Sequence, residues 1–352
     1  MTTQRRQQGL TLVELMIAMA IGVLLLFGIS LLFSQNRQSF RQNEEISRIQ
    51  ENARFAIAEL SRDLAMAGFM AEMVDGSVIT IDPSAEANAE DCGPGVPWLY
   101  DFGAGLLDGA IRISDQATAM DGAAVQARFN CIDPGTFLDG TDVIGIRRTS
   151  GVASFWEANG TVSPDCVDLR MPEGVPCVNP VPGRGIFLRE NGSQGVLYHG
   201  ATAVADPPRP FEDWEYTPRI YYVRNVGVGD NQLPTLCRRR LDNSVAAPQP
   251  LVEECLVSGV ENLQVELGVD TNGDGSANSY VSNPGAADLE RAVSVRVYLL
   301  MRAIQPDVGY TDERQYVLGN VVVPAANDRF HRRVYSATVT MRNLNNVRRL
   351  GF

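Results

Sequence analysis

Residues able to hold a metal, pass a proton or form a cross-link are few in this 352-residue sequence, and they fall in a few places. Asp270-x-Asn272-x-Asp274-Gly275 sets side-chain oxygens at alternate positions with a glycine for the turn, the first half of a calcium loop. Ser276 adds a backbone carbonyl and Asn278 a side-chain oxygen, but the twelfth position is Val281, where a full loop needs a bidentate carboxylate. No cofactor is expected beyond this one candidate calcium ion, and the competing reading is a polar hairpin loop. The six cysteines, Cys92, Cys131, Cys166, Cys177, Cys237 and Cys255, include no C-x-x-C pair, which weakens zinc or thioredoxin-like chemistry. In an oxidising compartment they read as disulfides. Of the fifteen possible connectivities, sequence neighbours (92–131, 166–177, 237–255) are the expected pairing, with buried thiols as the alternative. Only two histidines occur, His199 and His331, far apart, so His-ligated metals and Ser/His/Asp catalysis start from a poor base. Ser193, in Asn191-Gly192-Ser193-Gln194-Gly195, is one glycine short of a nucleophile elbow and lies between two expected strands, so a hairpin turn is favoured. No catalytic residue is expected, and the chain reads as a non-enzyme.

Thirty basic residues, all arginine, stand against forty-two acidic ones for a formal charge of −12. That balance argues against a generic nucleic-acid binder, which needs excess positive charge. Arg238-Arg239-Arg240 does not change this: in a strand alternate residues face opposite sides, so at most two share a face, and a solvated strand is the favoured reading.

One carboxylate stands apart from the rest. Leu15 to Phe33 are nineteen consecutive uncharged, mostly apolar residues, nearly enough at about 1.5 Å each to span a bilayer core of roughly 30 Å. A cleaved secretory signal fits badly, because the apolar run is too long and Glu14 sits at its mouth. A twin-arginine signal on Arg5-Arg6 lacks the usual apolar residues behind it. A retained transmembrane helix is the expectation. Glu14 inside such a helix costs on the order of 2.5–3.5 kcal/mol on insertion scales, so it needs a partner. Cleavage between Gly9 and Leu10 would make one, an α-amine four residues before the carboxylate. It would act within the helix or from a neighbouring subunit; the alternative is a glutamate that reaches headgroup water.

Gly9-Leu10-Thr11-Leu12-Val13-Glu14-Leu15-Met16 resembles the prepilin signal of type IV pilins and type II secretion pseudopilins. The resemblance implies cutting after Gly9 by a prepilin peptidase, N-methylation of Leu10, and an assembly role for Glu14. Leu10 departs mildly from the phenylalanine usual at the methylated position. Loss of the leader removes Arg5 and Arg6, leaving a side-chain charge of −14. Before cleavage these arginines keep the leader cytoplasmic.

The helix is expected to run on. No proline occurs from Ser34 to Gly68, and Ile46, Ile49, Ala53, Ile57, Leu60, Leu64 and Ala67 recur at the spacing of one helical face. Arg37, Arg41, Glu44, Glu45, Arg48, Glu51, Arg54, Glu59, Arg62 and Asp63 fall largely on the other faces. Leu10 to Ala67 as one helix measures roughly 87 Å, with Gly68 as its C-cap. Residues 71–140 read as irregular and loop-rich, with short apolar runs at Val78–Ile81 and Ala110–Ile113. Strands are expected at Asp142–Arg147, Gly185–Glu190, Gly195–His199, Arg219–Arg224, Leu236–Leu241, Val260–Val269, Ala292–Arg302, Gln315–Val323 and Val334–Arg342, with Asn191-Gly192 as a hairpin turn.

The expected fold class is α+β and pilin-like: one long N-terminal helix, membrane-spanning then amphipathic, packed on an antiparallel β-rich globular domain. The expected divisions are a leader over 1–9, a transmembrane half over 10–33, an amphipathic half over 34–70 and an extracytoplasmic domain over 71–352. The stretches Leu256–Val265, Gly268–Gly275, Ala292–Leu300 and Arg332–Val339 resemble PilW-type minor pilins. That resemblance implies a minor pilin acting in assembly and priming of the type IV pilus, and in twitching motility, in a tip complex with other minor pilins. The implied partners are other minor pilins, the major pilin, the prepilin peptidase and the inner-membrane assembly machinery. The implied location is the inner membrane, single-pass with a periplasmic domain, and then the pilus. A J-type minor pseudopilin of type II secretion and a pilus-presented adhesin are the rivals, the latter using the unassigned residues 71–235.

Overall fold

The computed structural model describes residues 12–73, 78–88, 92, 111–114, 125, 129–151, 155–157, 185–200, 211–227, 232–243 and 251–343. The chain forms two units, Met1–Arg48 and Ile49–Phe352. Helix α1 is Leu12–Ala65, 54 residues. Its part in the first unit begins with Leu12–Ser30, nineteen residues long and apolar enough to cross a membrane, with outward-facing side chains such as Leu15, Met16, Leu24 and Phe27. Farther along, Arg48 pairs with Glu44 at 2.7 Å and with Glu45 at 3.4 Å. Such i,i+4 and i,i+3 pairs on an exposed helix contribute only a few tenths of a kcal/mol each.

In the second unit the rest of α1 buries Ile49, Ala53, Ala56, Leu60 and Leu64, and the following turn buries Ala67. The expected stripe is thus present, with Ala56 added and Ile57 only partly buried. The two alanines are fully covered, so the helix backbone lies close to what it packs against. After Ala65 the turn tightens: Met66 and Ala67 donate to carbonyls three residues back. Gly68 then takes φ +72° and its N–H donates to the Arg147 carbonyl. A side chain there would be strained, which is why glycine ends the helix.

Among the described residues the body has three main sheets and one hairpin. One sheet contains β2 (Ile111–Ser114), β3 (Val143–Ile146), β8 (Arg219–Val226), β9 (Leu233–Leu241) and β10 (Leu251–Ser258), in the order β10-β9-β8-β3-β2. The second contains β11 (Val260–Val269), β12 (Ser279–Val281), β13 (Ala292–Arg302) and β16 (Arg332–Thr340), in the order β12-β11-β13-β16. The third contains β1 (Ile79–Ile81), β4 (Phe155–Glu157), β5 (Ile186–Glu190), β6 (Gly195–His199) and β7 (Phe211–Glu215), in the order β1-β6-β5-β7-β4. Among the described strands every pair is antiparallel except β1 with β6. Two short helices, α2 (Pro83–Asn88) and α3 (Ala286–Glu290), complete the described elements.

The principal core joins the helix face to both of the first two sheets, through Ile144, Tyr221, Val223, Leu236, Leu263, Val265, Val295, Val297 and Leu299 among others. A second cluster, including Met70, Phe129, Ile186, Leu188, Tyr216 and Tyr222, lies under the third sheet.

Several expectations are corrected. Gln315–Val323 is not one strand: Gly319, at φ +61°, and Asn320 turn it into a hairpin of β14 (Tyr316–Leu318) and β15 (Val321–Val323). Val78–Ile81 and Ala110–Ile113, read as parts of an irregular segment, supply β1 and β2. Strands β7 and β10 were not expected from the sequence. In β10 the adjacent Glu253 and Glu254 interrupt the apolar run, yet both carboxylates are held by arginines of neighbouring strands. Asp63, placed on an outer face by its charge, is buried.

Candidate functional site

Glu14 lies in the first turn of α1, and its side chain is outward-facing. A carboxylate there is favoured by the positive end of the helix dipole. In the sequence of the apolar span Leu12–Ser30 it is the sole ionisable side chain. Gly9 and Leu10, the expected cleavage and methylation positions, lie outside the described residues.

The groups that fix the helix to the body escaped the sequence reading. Asp63 Oδ1 accepts from Arg148 Nε at 3.1 Å and from Arg148 Nη2 at 2.7 Å. Asp63 Oδ2 accepts from the Tyr221 hydroxyl, and Arg219 stands 3.8 Å away. Burial and the Asp63 carboxylate together push the Tyr221 hydroxyl up, so it stays a donor. Burial pulls Arg219 down, opposed chiefly by Asp63. One turn earlier, Glu59 accepts from Arg238 at 3.3 Å. These contacts tie α1 to β8, β9 and the segment after β3; they hold structure and offer no reacting group. The sequence signal was a carboxylate wedged between the apolar Leu60 and Leu64, legible only once the helix face is known.

A second buried ionic group lies near the C-terminus. Arg332 donates to Glu261, to both Asp328 oxygens at 2.6 Å and to Asp312 at 3.3 Å. Asp312 also accepts from Tyr310, Arg314 and Tyr316. In the third sheet, Glu190 accepts from Trp214 Nε1 and the Gly192 N–H; burial pushes its carboxyl up to about 7 against the lowering effect of Gly192.

The five calcium candidates sit together in the turn from β11 to β12. Asp270 accepts from the backbone N–H groups of Asn272, Gly273 and Gly275. The Gly275 contact is the main reason its carboxyl is held below the usual range. Asp274 accepts from Ser276 N and Asn272 Nδ2, and Asn278 Oδ1 accepts from Thr271. The oxygens are therefore turned largely onto the loop's own donors, as in Asx turns. Among the described residues no three His, Cys, Asp or Glu side chains cluster as metal ligands.

Cys92 is joined to Cys131 and Cys237 to Cys255, both pairs sequence neighbours. Cys166 and Cys177 lie outside the described residues. Arg238 and Arg240 share a face of β9 and both bond Glu254, while Arg239 reaches the Leu251 carbonyl and Glu253. Ser193 bonds Asn191 Oδ1 in the β5–β6 hairpin turn.

Comparison with known proteins adds to this geometry. Residues 4–30 match the prokaryotic N-terminal methylation motif, and that stretch leads straight into the apolar helix ahead of the β-rich body. These features are those of a prepilin-type N-terminus, with an apolar helix long enough to cross a membrane. Residues 220–343, β8 through β16, match the family described as type IV pilus-assembly protein W, so that stretch of the chain is similar to PilW-family pilins. Among solved structures, a type IV-like pilin from Thermus thermophilus is similar at 15% identity, covering 47% of this chain and 85% of that one with a TM-score of 0.24. No curated protein matches the chain.

Proposed function

We propose that this chain is a minor pilin that primes assembly of the type IV pilus and stays in a tip complex with other minor pilins. The observation that carries the reading is the methylation-motif match over residues 4–30 running into an apolar helix, on the same chain as the match over 220–343. Prepilin peptidase cuts after Gly9 and Leu10 is N-methylated. The helix then waits in the inner membrane with the globular domain in the periplasm. Glu14 meets the N-terminal amine of a neighbouring subunit, which offsets the penalty of a carboxylate in hydrocarbon and fixes the register of entry.

Glu14→Ala tests the register role. The variant is expected in the membrane and correctly cleaved, with helix association weakened by up to about a hundredfold and pili lost in proportion. Counting pili on cells that depend on this chain reads the effect; wild-type numbers of pili contradict the role.

Calcium at the Asp270–Asn278 loop belongs to the same proposal, supported by the alternating side-chain oxygens of Asp270, Asn272 and Asp274 in the turn from β11 to β12. At a hundredfold excess over Kd it stabilises the fold by about 2.7 kcal/mol. The melting midpoint should then rise in calcium relative to chelator, and Asp270→Ala should abolish the rise. An equal midpoint in both buffers contradicts the site.

A further inference from the structure

Cys237 and Cys255 stand directly opposite one another in the antiparallel ladder of β9 and β10, and a disulfide joins them there. Strand β10 ends its sheet among the described strands. The two cysteines are covered very unequally. Cys237 is fully buried in the cluster under the third sheet, whereas Cys255, on the edge strand, is exposed. The other described disulfide differs: Cys92 is fully buried, and Cys131 is half-buried against the same cluster.

Side chains at paired positions of a ladder, and at every second residue along a strand, share a face. Tyr222, Arg224, Arg239 and Glu253 therefore flank the disulfide on its own face. They form one network: Glu253 accepts from the Tyr222 hydroxyl and from Arg224, and Arg239 stands 4.0 Å from it. Two guanidinium groups share that one carboxylate. Arg239 Nε is buried and has no acceptor among the described residues.

Thiol exchange needs two things of a disulfide: a sulfur that a thiolate can reach, and a second sulfur able to leave with negative charge. Exposed Cys255 offers the first. Cys237 would be the leaving sulfur, and a neighbouring arginine is the kind of group that favours a thiolate. The departing thiolate would also give Arg239 Nε the acceptor it lacks.

We infer that Cys237–Cys255 is a thiol-exchange site that an external dithiol opens at Cys255, with Arg239 steadying the Cys237 thiolate that leaves. The incoming thiolate bonds to Cys255 Sγ as the S–S bond breaks. The electron pair departs on Cys237 Sγ, which takes up a proton. The second thiolate of the dithiol then displaces Cys255, which is protonated in turn. The disulfide has gained two electrons and two protons, and the dithiol is oxidised to its own disulfide. Opening removes the cross-link that holds β10 to β9, and β10 ends at Ser258, whose carbonyl accepts from Asn52 of α1. None of this depends on the pilus reading.

The test treats the full chain, oxidised and in detergent micelles, with dithiothreitol. Excess iodoacetamide stops the reaction at timed points, and peptide masses locate the freed thiols. Cys237 and Cys255 should be labelled at least about tenfold faster than Cys92 and Cys131, at a rate proportional to dithiothreitol concentration. Limiting amounts of reduced glutathione, or of a thioredoxin lacking its second cysteine, should be trapped on Cys255; the faster of the two shows whether a small thiol or a protein serves the site. Arg239→Gln should slow exchange several-fold, the opposite of what a merely loosened strand would do. Equal rates at both disulfides, a rate independent of thiol concentration, or adducts on Cys237 overturn the inference. So does an Arg239→Gln variant that exchanges as fast as the wild type or faster.

Discussion

Asp63→Ala is expected to remove about 3–5 kcal/mol of folding stability, the usual result of deleting one partner from a buried ion pair. Asp63 is 4% exposed and its partner Arg148 9%, with Tyr221 fully buried against the same carboxylate. Without that carboxylate, Arg148 keeps its bond to the Thr149 carbonyl but loses its counter-charge, and Arg219 loses the group that offsets its own burial. The loss is large against a typical net stability of about 5–15 kcal/mol. Urea denaturation of the solubilised chain reads it as a shifted midpoint at constant slope. Because Asp63 lies on the helix, trypsin should also cut faster at the exposed Arg54 and Arg62. Asp63→Asn, similar in size but uncharged, should fall in the same range. A loss below about 1 kcal/mol would show that the helix is held by its apolar face alone.

The second large effect is expected at Arg332. Arg332→Met keeps much of the side-chain bulk but strands Glu261, Asp312 and Asp328 without their shared cation, again at about 3–5 kcal/mol near neutral pH. The pH dependence separates this from a packing defect. Burial pushes the Asp312 carboxyl up, but hydrogen bonds from Tyr316, Arg314, Tyr310 and Arg332 outweigh it and hold it at about 2. Asp328 is held low mainly by Arg332. An unfolded aspartate titrates near about 3.9, so the native state binds fewer protons between that value and 2. The wild type therefore has this stabilisation in full above about pH 4 and loses it as pH falls toward 2. In the variant these carboxylates titrate higher, so protonation relieves them and the deficit relative to wild type shrinks as pH drops below about 5. Denaturation curves at pH 7 and pH 4 measure both numbers. A deficit that does not change with pH points to lost packing instead.

These two networks mark where the sequence stopped being legible. Periodicity finds a helix face or a strand when the pattern is unbroken: β6, β11 and β13 have the ends expected of them, and Ile49, Ala53, Leu60 and Leu64 form the buried stripe. It fails where a charge sits inside an apolar pattern because its partner is far away in the chain. Asp63 and Arg148 are 85 residues apart, and Glu261 and Arg332 are 71 apart. Neither pairing leaves a local trace. Glu253-Glu254 hid β10 for the same reason, since the arginines that hold them come from β8 and β9. The hairpin β14–β15 was the opposite case: its local signal, Gly319-Asn320, was present inside a run of valines and leucine that read as one strand. The expectation at Gly9, Leu10 and Glu14 needs no tertiary contact, because the methylation motif matched over residues 4–30 is a signal in the linear sequence.

Intact mass of the chain extracted from membranes of a pilus-competent host tests the central claim most directly. The expected species begins at an N-methylated Leu10, with Met1–Gly9 gone and everything from Leu10 to Phe352 retained. A chain that keeps Met1–Gly9, or one cut near Ser30, would contradict prepilin processing and with it the assignment to pilus assembly.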